Sequence, residues 1–308
     1  MESKNNMLKK TITVGIPAYN EEANIVNILN DLLSQDYADF CLEKIIVSSD
    51  ASTDRTVQFA MSVNDPRILV IDNKERKGKH GGSNLIMATS TSSALVTLDG
   101  DTRLVDPKFI YKMVRPILED GADLTSCALV ESKPQTLVEI LLAQGNEVKR
   151  LAFTKYNDSD NWFSCRGAAR AQSNKFYKKF RFKMSVSEDL YIYLYCKFHN
   201  FKFTFVRDAE CRYSLPSNLK DHLSQNARFF NSTSLFMSEF GTDFVKRNTR
   251  WPLKLLTLAS IRVFLRNPFY MVLYLLLLGY CFLKVKFLGG SRHSDAWVMS
   301  PSAKSVRV

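Results

Sequence analysis

Ala94-Leu95-Val96-Thr97-Leu98-Asp99-Gly100-Asp101 is a short apolar run that ends in two carboxylates separated by a glycine. A strand alternates its side chains, so positions i and i+2 point the same way. In an extended backbone Asp99 and Asp101 therefore converge on one point. Two hard oxygen ligands with open positions suit Mg²⁺ or Mn²⁺ together with a phosphate. Alone, the same residues are also ordinary turn chemistry after a strand. Their surroundings decide between the two.

Upstream, residues 11–16 predict a buried strand that Pro17 ends, with Asn20 placed to cap the next helix. Ile25, Ile28, Leu29, Leu32 and Leu33 then recur at helical spacing. Residues 44–48 predict a second strand, and the turn 49–54 caps a helix over roughly 55–63. A third strand is expected at 67–71, then a polar loop at 72–82, a helix at 83–92 and the fourth strand at 94–98. Strands alternating with helices imply an α/β fold with a mainly parallel sheet flanked by helices on both faces. Ligands of such sheets bind outside the carboxyl ends of the strands. The polar clusters Pro17–Glu22, Asp50 and Asp99–Asp101 all fall at such ends.

Downstream, the pattern predicts a helix at 107–118, a strand at 122–130, a helix at 135–152 and a loop at 157–161. The small-residue stretch 163–169 reads as a pocket lining. Ser187-Glu188-Asp189 opens a helix to about His199, followed by strands at 201–206 and 209–213 and a helix over 218–240. Residues 252–265 form a basic amphipathic helix candidate. Phe269 to Leu283 is fifteen residues without a charge, a length between a bilayer span and a helix lying in the interface. Residues 289–308 read as a disordered tail. The division expected is a domain at 1–240, with a donor half at about 11–130 and an acceptor half at about 131–240, then membrane-associated helices at 241–288.

The net charge of +11 is unevenly placed: the last 68 residues carry +9 and the first 240 only +2. A uniformly basic nucleic-acid binder is not distributed this way. A near-neutral body with a basic C-terminal part fits attraction to anionic lipid. The six cysteines form no C-x-x-C pair and the first ten residues are polar, so reduced thiols facing the cytoplasm are expected. His80, His199, His222 and His293 show no zinc spacing, and neither a P-loop nor a G-x-G-x-x-G is present.

Charge neutralisation organises the chemistry, because a diphosphate leaves only if its developing charge is stabilised. Asp101 is the first choice of metal ligand, with Asp99 a second ligand or a ribose contact. Asp50 can accept from a base N–H or sugar hydroxyl, or cap a helix. Arg76, Lys77 and Lys79 can reach phosphate or remain solvated loop cations. Glu188 and Asp189 suit a helix N-terminus in any case, and one of them can serve as general base.

Together these residues resemble family 2 of the inverting nucleotide-sugar glycosyltransferases, which have the GT-A fold. Val14 to Glu22 looks like the opening strand and nucleotide loop, which assigns Pro17, Ala18, Tyr19 and Glu21 to the donor. Asp50 to Thr56 looks like the second motif, whose first Asp contacts the base. Gly78-Lys79 with Ser83-Asn84 resembles the following loop. Leu98-Asp99-Gly100-Asp101 resembles the DxD element that binds nucleotide sugar and metal, and Ser187-Glu188-Asp189 the ED motif with Asp189 as catalytic base. Gln225-Asn226-Ala227-Arg228-Phe229 is similar to the Q-x-x-R-W acceptor element of membrane-bound polysaccharide synthases, with Phe229 where Trp is usual.

The resemblance implies inverting transfer from a UDP-sugar, with Mg²⁺ or Mn²⁺, to a hydroxyl of a glycan or lipid-linked acceptor. It places the enzyme at the cell membrane facing the cytoplasm, beside other polysaccharide-assembly proteins. Transfer to a polyprenyl phosphate, which needs no base, and a non-catalytic nucleotide-sugar-binding scaffold are the alternatives.

Overall fold

Strand β1 (Thr11–Ala18) lies inside the sheet, between β2 and β4. Its Ile12, Val14 and Ile16 share one face and are completely buried, as a period of two requires. The computed structural model describes residues 10–183, 187–227, 233–287 and 306. After β1 come α1 (Ile25–Leu33), β2 (Cys41–Asp50), α2 (Thr56–Ser62), β3 (Ile68–Asn73), α3 (Gly78–Thr89) and β4 (Ala94–Leu98). Next are β5 (Thr102–Arg103), α4 (Phe109–Leu118), β6 (Leu124–Glu131), α5 (Leu137–Lys155) and a short turn at Tyr156–Ser159. Then follow β7 (Ala169–Ser173), α6 (Asn174–Lys179), α7 (Glu188–Phe198) and β8 (Phe203–Tyr213). Helices α8 (Leu219–Ala227), α9 (Thr233–Phe240), α10 (Thr242–Asn248), α11 (Leu253–Arg266) and α12 (Pro268–Phe287) complete the chain.

The sheet order is β3-β2-β1-β4-β7-β6-β8-β5. β1 to β4 pair in parallel, as expected. The sheet as a whole is mixed, because β7 runs antiparallel to both β4 and β6 and β5 runs antiparallel to β8. The sequence of β7, Ala-Arg-Ala-Gln-Ser, contains no β-branched residue. Its place between two strands makes it a strand, where intrinsic preference does not.

One apolar layer packs α1, α2 and α4 on the face that carries Val14 and Val96. On the opposite face, α3, α6, α7 and α9 cover Ile46, Leu95 and Leu124. Of the five predicted core positions of α1, Ile25, Ile28, Leu29 and Leu32 are fully buried and Leu33 is partly buried. Each fully buried one contributes about 1.5–3 kcal/mol relative to exposure.

Three boundaries differ from the sequence expectation, each for a tertiary reason. α3 starts at Gly78 rather than near 83, because the Asp50 carboxylate accepts the backbone N–H groups of Lys77 and Gly78 at 2.6 and 3.0 Å. The predicted strands 201–206 and 209–213 are one strand, β8, with an irregularity at Cys127/Ala128 that absorbs Arg207 to Ala209. Asn20 does not cap α1: it has φ 51° and its side chain accepts from the Thr53 N–H at 2.8 Å.

The C-terminal helices dock on α5. Val148 and Ala152 meet Ala259, Val263 and Met271 in a small third core. A Cβ on Gly145 would stand 2.2 Å from the Tyr274 ring, so α12 lies directly on α5. Leu258, Ile261, Phe264 and Leu265 of α11, with Phe269, Leu275, Leu276 and Leu283 of α12, face outward and are exposed. Among the described residues no helix is long and apolar enough to cross a membrane. The expected tail at 289–308 lies outside the described residues apart from 306.

Candidate active site

β1, β2 and β4 end on one rim of the sheet. Antiparallel β7 begins on that same rim, where Leu98 pairs with Ala169 and the Asp99 N–H donates to the Ala168 carbonyl at 2.9 Å. Four segments that are far apart in the sequence therefore meet at the end of β4.

The stretch Asp99-Gly100-Asp101 is a turn and not a continuation of the strand. β4 stops at Leu98, and Thr102 Oγ1 donates to the Asp99 carbonyl at 2.7 Å. The expectation of two carboxylates on one extended face is corrected accordingly. Asp101 still lies close enough for its charge to matter at Asp99. Burial pushes the Asp99 carboxyl above the usual range, Lys79 pulls it back and Asp101 adds to the rise. Gly100 is needed at the turn because a Cβ there would stand 2.9 Å from Glu21 Cγ. Buried Glu21 thus braces the turn, and its Oε2 accepts from Asn24 Nδ2 at 3.1 Å.

Lys79 stands at the centre. Its Nζ lies 2.5 Å from Asp99 Oδ1 and 3.2 Å from Glu188 Oε2. Burial would lower its pKa, but Asp99 and Glu188 outweigh that and raise it, so the ammonium is held. Glu188 is enclosed by Lys79, by His80 Nε2 at 3.5 Å and by Arg170 Nη2 at 3.8 Å. Burial alone would raise the Glu188 pKa, yet these cations bring it below the usual range. Asp189 is different. Arg170 Nη2 lies 3.8 Å from its Oδ1, and its side chain is 36% exposed against 6% for Glu188. A Cβ on Gly167 would stand 2.4 Å from Asp189 Oδ1, so a side chain there would displace that carboxylate. Of the two acids in the first turn of α7, Glu188 is locked among cations and Asp189 is open to a reactant.

The nucleotide-loop residues are gathered nearby. Arg76 stacks over the Tyr19 ring at 3.7 Å, with its Nε 3.7 Å from Asp50. Asp50 therefore orders the 76–78 segment against Tyr19, and it caps α3 instead of α2. Pro17 lines a small cavity with Lys79, Asp99, Gly167 and Arg170. The Ala18 side chain belongs to the core, so only its backbone reaches the rim. Gln225 lies on α8, with its side chain outside the described residues, as are Arg228 and Phe229 entirely.

Sequence reasoning missed Arg170 and His80. Arg170 is 4% exposed, and its Nε and Nη1 have no hydrogen-bond partner among the described residues. An arginine alternating with alanines in the stretch 168–173 was the available clue. Among the described residues no three His, Cys, Asp or Glu side chains form a ready metal cage. Asp99 and Asp101 nevertheless suit a divalent cation that takes its remaining ligands from phosphate oxygens and water, the usual arrangement for Mg²⁺.

Residues 13–175, more than half of the chain, match the model of Glycosyl transferase family 2. The chain belongs to this family. Glycosyltransferase AglE of Haloferax volcanii is 33% identical over 116 residues, which is 37% of each chain. An Escherichia coli relative, UDP-Glc:alpha-D-GlcNAc-diphosphoundecaprenol beta-1,3-glucosyltransferase WfaP, is 31% identical over 97 residues, 32% of this chain and 38% of its own. The match thus spans little more than a third of either curated relative. Among solved structures, mannosyltransferase PcManGT of Pyrobaculum calidifontis, in complex with GDP-Man and Mn²⁺, superposes with TM-score 0.57 at 17% identity, over 93% of this chain and 77% of that one. S. aureus TarS with UDP-GlcNAc gives 0.52 at 15% identity, over 77% and 72%. These likenesses establish a GT-A-like fold for this family 2 glycosyltransferase.

Proposed function

We propose that this glycosyltransferase moves a sugar from a UDP-linked donor to a hydroxyl of a lipid-linked glycan acceptor, with inversion, in cell-surface polysaccharide assembly. One observation carries the reading: Lys79 and Arg170 join Asp99, Glu188 and Asp189 into a single charge network across the end of β4. In this reading its cations face the departing diphosphate, and one carboxylate stays open to the acceptor.

The acceptor hydroxyl attacks the anomeric carbon while the bond from that carbon to the diphosphate oxygen breaks. Asp189 takes the hydroxyl proton, a step a fixed base accelerates by about 10²–10⁴. Lys79 and Arg170, whose Nε and Nη1 have no hydrogen-bond partner among the described residues, offset the charge that develops on the leaving diphosphate. Tyr19, Arg76 and Asp50 form the wall on which the nucleoside rests, with Pro17, Ala18 and Glu21 shaping it from beneath. Asp101, with Asp99, would hold Mg²⁺ or Mn²⁺, which when bound neutralises the diphosphate. A polyprenyl phosphate acceptor is already an anion and needs no base, so the open Asp189 favours a hydroxyl.

The exposed apolar surface of α11 and α12 lies among Lys254, Arg262, Arg266 and Lys284. It rests on the cytoplasmic leaflet as an interfacial helix pair. The testing experiment offers the purified full chain a panel of nucleotide sugars with Mn²⁺ and a lipid-diphosphate-linked sugar. Transfer from a UDP-sugar with inverted anomeric configuration supports the reading, and retention or a lack of transfer from every donor overturns it.

A further inference from the structure

One face of α3 holds the approach to α7. His80 and Asn84 are four residues apart on that helix, so they point the same way. Asn84 Nδ2 donates to the Phe182 carbonyl at 2.8 Å, and its Oδ1 accepts the Phe182 N–H at 2.9 Å. This reciprocal pair fixes the backbone ahead of α7. The His80 ring packs edge-on against the buried Phe182 ring at 5.3 Å. Phe182 also meets Tyr191 of α7, with ring centroids 6.4 Å apart.

Glu188, the first residue of α7, is held at both oxygens. Lys79 Nζ and Arg170 Nη2 make their closest approach to Oε2, at 3.2 and 3.8 Å. His80 Nε2 faces Oε1, at 3.5 Å. Two groups on one oxygen leave a carboxylate free to pivot about it, and a third at the other oxygen fixes its plane. Fixing Glu188 fixes the helical turn that carries the next residue. That residue is Asp189, which abuts Gly167 and lies 3.8 Å from Arg170 Nη2. A displacement of about 1 Å in a reacting group can cost about 10²-fold in rate.

We propose that His80 is a positioning residue for proton transfer: backed by Phe182, its imidazole fixes the Glu188 carboxylate and through it the place of Asp189. His80 itself touches no reacting atom. This rests on the reading of Asp189 as base and adds the group that aims it.

The test uses the full chain. Turnover is read with the UDP-sugar that the donor panel selects and the same lipid-diphosphate-linked sugar, and UDP with Mn²⁺ is the calorimetric probe. His80→Leu keeps bulk against Phe182 but offers nothing to Glu188 Oε1. It is expected to lower kcat by about 10–100-fold, with donor KM, UDP affinity and melting temperature close to those of the parent. His80→Gln restores a donor and recovers kcat to within about threefold. In an Asp189→Asn background His80→Leu changes kcat by less than about twofold, because no base is left to aim. An equal fold-loss in both backgrounds overturns the proposal. So does a loss that follows falling UDP affinity and melting temperature and is not recovered by His80→Gln, which reduces His80 to packing. Parental kcat in His80→Leu overturns it as well. Parental turnover in Asp189→Asn alone overturns the base reading instead, so the two failures are distinct.

Discussion

Lys79 Nζ lies 2.5 Å from Asp99 Oδ1, and this contact ties the first turn of α3 to the end of β4. The same ammonium reaches Glu188 at 3.2 Å, so one side chain also joins both elements to the first turn of α7. Lys79→Met leaves two inward-facing carboxylates without their shared cation. Breaking a buried pair from one side costs about 3–5 kcal/mol. A comparable loss of unfolding free energy in denaturant is expected, together with a fall in kcat. Lys79→Met in combination with Asp99→Asn and Glu188→Gln recovers stability but not turnover. A single variant of wild-type stability contradicts the coupling.

Asp189 and Glu188 are adjacent in the sequence and opposite in environment. Asp189→Asn removes the open carboxylate while Arg170 and Gly167 keep their places, so kcat falls by about 10²–10⁴ with UDP affinity unchanged. Glu188→Gln disturbs the Lys79, His80 and Arg170 cluster instead, and lowers the melting temperature as well as kcat. Steady-state kinetics beside thermal melting separates the two patterns. A modest loss in Asp189→Asn points to a phosphate nucleophile instead of a hydroxyl.

The contrast between these two acids shows what local sequence carries. The alternation at Ile12, Val14 and Ile16 and the helical spacing of Ile25, Ile28, Leu29 and Leu32 are local patterns, and the parallel half of the sheet follows from them. The rim position of Asp50 and Asp99 follows from strand ends. Arg170 was invisible because β7 is a strand only through its neighbours. The start of α3 was misplaced because Asp50, far away in the chain, caps it.

Asp101 sits in the turn that Glu21 braces through Gly100. Asp101→Ala is expected to abolish Mn²⁺-dependent turnover and to lower Mn²⁺-dependent UDP affinity by at least about tenfold, with the fold retained. Chelator-treated wild-type protein should match the variant and recover on adding Mn²⁺ or Mg²⁺, which Asp101→Ala does not. Calorimetric titration of UDP with and without Mn²⁺ reads both. Full turnover after metal removal contradicts the assigned role.

The α11–α12 face predicts binding to anionic vesicles. Flotation with liposomes containing phosphatidylserine should recover the chain at low salt and release part of it as ionic strength rises, because surface attraction is screened. Phe264→Asp and Leu265→Asp place charge on the exposed face without touching the Ala259 and Val263 contacts to α5. Each should reduce flotation several-fold and leave UDP affinity unchanged. Equal flotation of both variants with the parent chain removes the lipid surface from the reading.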